Sequence, residues 1–257
     1  MRVAIAGAGG RMGRALIEAL QAEQDLVLGA VLEATGSPAL GQTAGGKKIV
    51  ADLGALAEAD VLIDFTRPEG TMAHLDACLA QRRALVIGTT GFNDAQKARI
   101  AEGARRIPIA WSPNFAIGVN VVFRLAQTAA RALGDAYDVE IVEAHHRHKV
   151  DAPSGTALKL GELVAGALGR DLGEVATHGR AGDTGERPAK AIGFHAIRGG
   201  DIVGEHTVIF AGAGERVEIT VRSQSRHTYA AGALRAARWL EGRAPGLYDM
   251  FDVLGLK

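Results

Sequence analysis

Apolar residues set two alternating rhythms over the first 116 positions. RVAIAGA (2–8) is a short, almost continuous apolar run ending in glycines, as a strand buried on both faces requires. Within RMGRALIEALQAEQ (11–24), Met12, Ala15, Leu16, Ala19 and Leu20 recur at helical spacing. Strand-like runs return at LVLGAVLE (26–33), ADVLIDFT (59–66), ALVIGTTG (84–91) and IPIAWSPNF (107–115). Helical stretches separate the later ones: PEGTMAHLDACLAQ (68–81), with proline at its start, and NDAQKARIAEGARR (93–106), with Asn93 as its cap. Strand, helix, strand at this rhythm predicts βαβ units and a parallel, Rossmann-like sheet.

Beyond residue 116 the rhythm changes. GVNVVFRLAQTAARAL (118–133) predicts a longer helix, and DVEIVEAHH (138–146) alternates as a half-buried strand does. SGTALKLGELVAGAL (154–168) is helical, and residues 169–190 are glycine- and charge-rich, which predicts an exposed loop. KAIGFHAIR, DIVGEHTVIFAG and ERVEITVRSQ predict three strands joined by short glycine turns, an antiparallel meander. YAAGALRAARWLEG (229–242) returns to helix. The expected organisation is an α/β chain of two domains. Residues 1–116, with 227–257 packing back, form the first, and residues 117–226 form an α+β second domain.

Composition narrows the class. The 257 residues suffice for a sizeable core, and Lys+Arg and Asp+Glu balance at 29 each. No global basic field is present to attract nucleic acid or an anionic membrane. The single cysteine, Cys78, excludes an intramolecular disulfide framework and a cysteine-based zinc site. The N-terminus makes a poor signal peptide, and no run approaches the ~18 apolar residues of a membrane span, so a cytoplasmic protein is expected.

Two segments carry chemistry. The first is GAGGRMG (7–13): Gly7, Ala8, Gly9, Gly10, Arg11, Met12, Gly13. A standard G-x-G-x-x-G fingerprint needs glycine at 12, and Met12 stands there; Gly7, Gly10 and Gly13 give G-x-x-G-x-x-G instead. The physics is shared, because glycine permits the tight turn and lets backbone N–H groups approach a pyrophosphate at a helix start. Glu33 closes the second strand, where a carboxylate meets the adenosine ribose hydroxyls. A carboxylate repels a 2′-phosphate, and Ala34 and Thr35 follow it rather than arginine. NADH is therefore the preferred cofactor; Arg11 could serve a phosphate, so NADPH stays open. Gly88, Thr89 and Thr90, and Ser112, Pro113, Asn114 and Phe115, end two further parallel strands and are candidates for the nicotinamide half.

The second segment is EAHHRHKVDAPSGTALKL (143–160), with three histidines and a lysine within five positions. On a strand, Glu143 and His145 would share one face, as would His146 and His148. No further ligand completes a zinc set, and Lys149 opposes a dication, so no metal is expected. Histidine exchanges protons near neutral pH, lysine brings a proton or a fixed positive charge, and Ser154, Gly155 and Thr156 open a helix whose N–H groups attract an anion. Such a set suits a small carboxylate that must be protonated.

These segments, with DFTRPEG (64–70), GTTG (88–91), SPNF (112–115), GRAGDTGERP (179–188) and IRGGDIVGEHTV (197–208), resemble the 4-hydroxy-tetrahydrodipicolinate reductase family, also called dihydrodipicolinate reductase, over nearly the whole chain. The resemblance implies a Rossmann-like dinucleotide domain and a substrate domain whose mixed, largely antiparallel sheet builds a homotetramer. It implies reduction of a cyclic unsaturated dicarboxylate by NADH or NADPH with loss of water, in diaminopimelate and lysine biosynthesis. It makes His145 the acid/base residue and Lys149 the proton donor. His146, Ser154, Gly155 and Thr156 would hold the substrate, and Gly7 to Met12, Glu33, Gly88 to Thr90 and Ser112 to Phe115 would line the cofactor. Family members that use both cofactors often carry arginine after the acid, where this chain has Ala34. Another dehydrogenase of an amino acid or semialdehyde, or a non-catalytic NAD-binding regulator, remains an alternative. A semialdehyde enzyme needs a nucleophilic cysteine, and Cys78 lies inside a predicted helix.

Overall fold

The structure is a computed structural model that describes residues 1–257. It divides into two compact units, Met1–Ile117 with Arg226–Lys257, and Gly118–Ser225.

The first unit opens with β1 (Arg2–Ala6), α1 (Arg11–Gln21) and β2 (Val27–Leu32), followed by a small hairpin of β3 (Thr43–Ala44) and β4 (Lys47–Lys48). β5 (Val61–Asp64), α2 (Pro68–Gln81), β6 (Ala84–Ile87), α3 (Asp94–Gly103) and β7 (Pro108–Trp111) continue the alternation. The six strands lie in the order β13-β7-β6-β5-β1-β2, all parallel, where β13 (Gly246–Tyr248) comes from the C-terminus. Two apolar layers cover the sheet. Leu16 and Leu20 of α1 cluster with Ala233, Leu234 and Ala237, which lie on α7 (His227–Leu240), and with Val253 of α8 (Met250–Leu254). Leu75 and Cys78 of α2 pack with Ile100 of α3 on the opposite face. Central strands such as β5 are buried at every position, which is why their sequences read as unbroken apolar runs. Asn93 caps α3 in a reciprocal capping box with Gln96, and Pro68 occupies the first turn of α2.

The second unit holds α4 (Ile117–Leu133, from Gly118 on), β8 (Asp138–His145), α5 (Gly155–Ala167), α6 (Leu172–Val175), β9 (Ala176–His178), β10 (Ile192–Arg198), β11 (Gly204–Ala211) and β12 (Arg216–Ser223). Its sheet runs β12-β11-β8-β10-β9 and is mixed. The expected meander does not form. β11 and β12 make an antiparallel hairpin, but β10 lies on the far side of β8 and pairs with it in parallel. The alternating pattern of β10 is equally compatible with either neighbour, so periodicity could not place it. The segment 169–190 is also less uniform than a loop, since it contains α6 and β9.

β8 alternates from Asp138 to Val142, and register aligns its partners on one face. Val139 and Ile141 sit beside Ile192 and Phe194 of β10 and Phe210 and Val208 of β11, all buried. Helix α5 lies against these three strands. A Cβ added at Gly161 would come within 2.4 Å of the Phe194 ring, so glycine permits this close approach.

The glycine loop makes a close helix–strand contact. A Cβ at Gly13 would lie 2.1 Å from the Gly7 carbonyl oxygen, a backbone atom that cannot move aside. Gly13→Ala should therefore destabilise the protein by about 3 kcal/mol in urea unfolding. At Gly36 the φ is +85° with open space around the missing Cβ, and alanine should cost about 1 kcal/mol. Equal losses at the two positions would contradict the packing role of Gly13.

Candidate active site

The carboxyl ends of β1, β2, β5, β6 and β7 carry the loops that sequence patterning singled out. At the end of β1, Gly7 has φ +72°, and its N–H and that of Ala8 donate to the Leu32 carbonyl of β2 at 2.9 and 3.1 Å. The chain then turns, with the Gly10 N–H donating to Gly7 O at 2.9 Å, and Arg11 and Met12 begin α1. Gly10 is the N-cap and offers no side-chain acceptor, so the first-turn N–H groups keep their affinity for an anion. Glu33, just beyond β2, accepts from the Gly9 N–H at 2.8 Å and from the Ala34 N–H at 3.1 Å. One carboxylate thus ties the glycine loop to the end of β2. The tight turn, the uncapped helix start and the acid beside it fit a dinucleotide, whose pyrophosphate the N–H groups and whose ribose hydroxyls Glu33 would hold.

The neighbouring loops are braced from below. Asp64, the last residue of β5, is fully buried. Its carboxylate accepts from the Thr66 N–H at 2.9 Å and the Thr66 hydroxyl at 2.6 Å, and pairs with His74 Nδ1 of α2 at 2.9 Å. Thr89 accepts from the Thr66 N–H and hydrogen-bonds the Thr71 hydroxyl, each at 3.0 Å. Thr89 is buried, so its side chain works inside this network, whereas Thr90 is exposed. A Cβ at Gly88 would strike the Phe65 ring at 2.2 Å, and Phe65 meets the buried Phe115 edge-on at 5.6 Å. In the 112–115 loop the Ser112 hydroxyl donates to the Asn114 carbonyl at 2.9 Å, Pro113 follows Ser112, and Asn114 Oδ1 accepts from the Ala116 N–H at 2.8 Å. Sequence reading gave Asp64 and His74 no role; Asp64 entered only as the first residue of DFTRPEG, an acid at the end of an otherwise apolar strand.

In the second unit the apolar face of β8 changes chemistry at its carboxyl end. Glu143 and His145 continue the face of Val139 and Ile141, and register places His206 of β11 beside Glu143 and Arg198 of β10 beside His145. Glu143 is 1% exposed. It takes His145 Nδ1 at 2.6 Å, the Ser154 N–H at 3.1 Å and both terminal nitrogens of Arg198 at 2.8 and 2.7 Å. Burial by itself raises the Glu143 carboxyl, but Arg198 and His145 outweigh it and hold the group below the usual carboxylate range. Burial lowers His145; Glu143 opposes that, Lys149 and Arg198 add to it, and the net direction is down. His145 is therefore neutral at physiological pH, with Nδ1 facing Glu143.

His146 and His148 do not alternate on the strand as expected. β8 ends at His145, and residues 146–149 form a turn closed by the Lys149 N–H on His146 O at 3.1 Å. His146 Nδ1 is buried without a hydrogen-bond partner. Lys149 Nζ pairs with both Asp151 oxygens at 2.8 and 2.9 Å. Ser154 is the N-cap of α5; its hydroxyl accepts from the Ala157 N–H at 3.2 Å and meets His206 Nε2 at 2.8 Å. Gly155 and Thr156 are the first helical residues, and a Cβ at Gly155 would meet nothing within 4 Å. A helix N-terminus open to space, with Lys149 and His146 on the preceding turn, is an arrangement for a carboxylate. No group of three His, Cys, Asp or Glu is arranged to hold a metal ion. Cys78 is buried and its thiol pushed up by burial, which is wrong for a nucleophile.

Comparison with known proteins places this geometry. Residues 1–115 match the domain described as dihydrodipicolinate reductase, N-terminus, and residues 118–254 match its C-terminus. The chain belongs to the dihydrodipicolinate reductase family. A 4-hydroxy-tetrahydrodipicolinate reductase of Thiobacillus denitrificans is 57% identical, covering 100% of this chain and 99% of the relative. One from Dechloromonas aromatica is 58% identical, covering 100% and 98%. A solved dipicolinate-bound dihydrodipicolinate reductase from Paenisporosarcina sp. TG-14 superposes with a TM-score of 0.81 at 27% identity, covering 98% of each chain. A probable dehydrogenase from Thermotoga maritima, 12% identical, has a TM-score of 0.67 over 100% of this chain and 93% of its own, and shares the fold alone. Family membership favours the reductase expectation over the semialdehyde and regulator alternatives.

The buried imidazole makes an acid-side prediction. Burial pushes His206 down to about 4, against an ordinary value near 6.5. The unfolded chain then binds the proton first, so the contribution of His206 to stability is complete above about pH 6.5 and is lost as pH falls towards 4. Thermal melts between pH 7 and 4 should show a declining Tm, and His206→Gln should flatten that decline. An unchanged slope in the variant would assign the loss to other groups.

Proposed function

We propose that this chain reduces 4-hydroxy-tetrahydrodipicolinate to tetrahydrodipicolinate with a nicotinamide cofactor and loss of water, in diaminopimelate and lysine biosynthesis. The observation that carries the proposal is the Glu143–His145 pair beside Lys149 and the open N-terminus of α5. In this reading Met1–Ile117 with Arg226–Lys257 bind the dinucleotide, and Gly118–Ser225 bind substrate.

The reaction removes water from the substrate and adds a hydride and a proton across a double bond. The bound cofactor supplies the hydride. The chain's own residues do the rest. Gly155 and Thr156 N–H groups receive one substrate carboxylate, and the positive end of the helix favours its charge. Ser154 keeps those groups oriented by capping the helix from inside. His146, on the turn that also carries Lys149, takes a further polar group of the substrate. Lys149 exchanges its contact with Asp151 for the substrate and gives its proton to the carbon next to the one that takes the hydride. His145, neutral and with Nε2 unprotonated, takes the proton from the carbon next to the hydroxyl-bearing one and passes it to the departing hydroxyl, which leaves as water.

NADH is the preferred reductant. The Glu33 carboxylate, held on the glycine loop, would repel a 2′-phosphate, and Ala34 offers no cation to neutralise one. NADPH is a slower substitute. The working form is a homotetramer in the cytoplasm. No helix is long and apolar enough to cross a membrane.

The test is NADH oxidation with substrate generated in situ from pyruvate and aspartate semialdehyde, repeated with NADPH. Turnover faster with NADH than with NADPH is the expected result. Lys149→Ala should lose at least about 10²-fold in kcat while retaining NADH affinity. Absence of turnover in folded protein that still binds NADH would overturn the reductase reading; wild-type kcat in the lysine variant would remove Lys149 from the mechanism.

A further inference from the structure

Glu143 touches more of the second-unit site than any residue assigned a chemical role, yet it stands beneath that site rather than in it. Its two oxygens meet four donors from three parts of the fold. Oε2 takes His145 Nδ1 and Arg198 Nη1, and Oε1 takes the Ser154 N–H and Arg198 Nη2. Arg198 then reaches across to the Asp151 carbonyl at 2.7 Å. The loop after Arg198 closes the frame through backbone bonds: Gly199 N–H to His145 O at 3.0 Å, and Arg147 N–H to Gly200 O at 3.2 Å. The turn that carries His146 and Lys149 is thus clamped at both ends by groups tied to one carboxylate.

We propose that Glu143, held by Arg198, is the positioning residue of the active site: it fixes His145 with Nδ1 inward and Nε2 outward, and it sets the start of α5 relative to that imidazole. The inference rests on the reductase reading for its kinetic consequence but not for its structural one.

The geometry supplies the argument. An imidazole can carry its proton on either nitrogen, and the partner of one nitrogen decides the state of the other. A carboxylate is an acceptor only, so Nδ1 must carry a proton and Nε2 is left to exchange one. Arg198 is bidentate and planar, so it holds the carboxylate in one orientation as well as compensating its charge. Without Arg198, burial would favour a protonated Glu143, which could donate to Nδ1 and reverse the tautomer. The charged and titratable groups facing His145 are Glu143 on its own strand, Arg198 on β10, His206 on β11 at 5.2 Å between ring centres, and Lys149 on the following turn. Glu143 is the one anion among them. Removing its charge leaves His145 facing cations and burial alone, so its titration must move to lower pH.

The experiment is ¹⁵N NMR of histidine-labelled full-length protein without substrate, with His145 assigned by its loss in His145→Asn. The wild type should show Nδ1 protonated and Nε2 unprotonated above its titration. In Glu143→Gln the fixed tautomer should be lost and the titration should move to lower pH. The acidic limb of the kcat profile should move with it, and kcat should drop about 10²-fold with the KM for NADH unchanged. Glu143→Asp keeps the charge but withdraws it by one methylene; it should lose the tautomer and about 10-fold in kcat, and it decides the matter if the glutamine variant does not fold. A role in stability alone would lower Tm in either variant and leave ring state and pH profile as in the wild type; that result overturns the proposal. If wild-type protein does not turn over the dicarboxylate, the reductase reading fails, and the ring measurement still decides the role of Glu143.

Discussion

A carboxylate taken out of water must be met by donors, because an unpaired buried charge costs more than a domain can spare. In the second unit that requirement falls on Glu143, and satisfying it determines most of the site. β8 must end where His145 can turn its ring back. β10 must run parallel to β8 so that Arg198 falls beside His145. The 146–153 turn must bring the Ser154 N–H to the same carboxylate. An antiparallel β10 following its sequence neighbours would leave the arginine elsewhere. The mixed sheet is therefore part of how the chemistry is assembled.

The first unit solves the same problem with different chemistry. Asp64 is also a fully buried acid at the carboxyl end of a strand, and it too is met by donors from the next loop and helix. It has no arginine; threonine hydroxyls and a histidine share the task. The consequence is parallel: loops at the ends of β5 and β6 are joined through Thr66 and Thr89 instead of moving separately. Glu33 makes a third case at the end of β2, where a half-exposed carboxylate holds the Gly9 N–H. In each unit a loop of the candidate site is anchored by an acid at the end of a strand, and the strand's own apolar residues hold that acid in place.

This pattern explains what the sequence made legible. βαβ alternation was readable because burial on both faces leaves long apolar runs, and the glycine loop because close helix–strand approach admits no side chain at Gly13. His145, Lys149 and the Ser154 cap were readable because reactive side chains and a helix start crowd into a dozen residues. Arg198, His206, Asp64 and His74 were not. Arg198 and His206 are brought to Glu143 by strand pairing over 55 and 63 positions of sequence, and nothing local marks that pairing. The chain order of β10, β11 and β12 suggested a meander because hairpins are the commonest way to join short strands; the pairing that won satisfies a charge that periodicity cannot see.

The chemical asymmetry of the β8 face follows from its position along the strand. Toward the amino end the face is Val139 and Ile141 packed by α5, where a charge would have no solvent and no partner. At the carboxyl end the strand reaches the open N-terminus of that same helix, whose N–H groups stabilise negative charge. Acids, bases and anionic ligands are tolerated only there. Exposing His145 further would bring it into water and return it towards ordinary imidazole behaviour. Burying it further would silence it as His206 is silenced at about 4. Its place, one pair of residues beyond Glu143 and at the rim of the core, keeps it neutral, oriented and within reach of a proton.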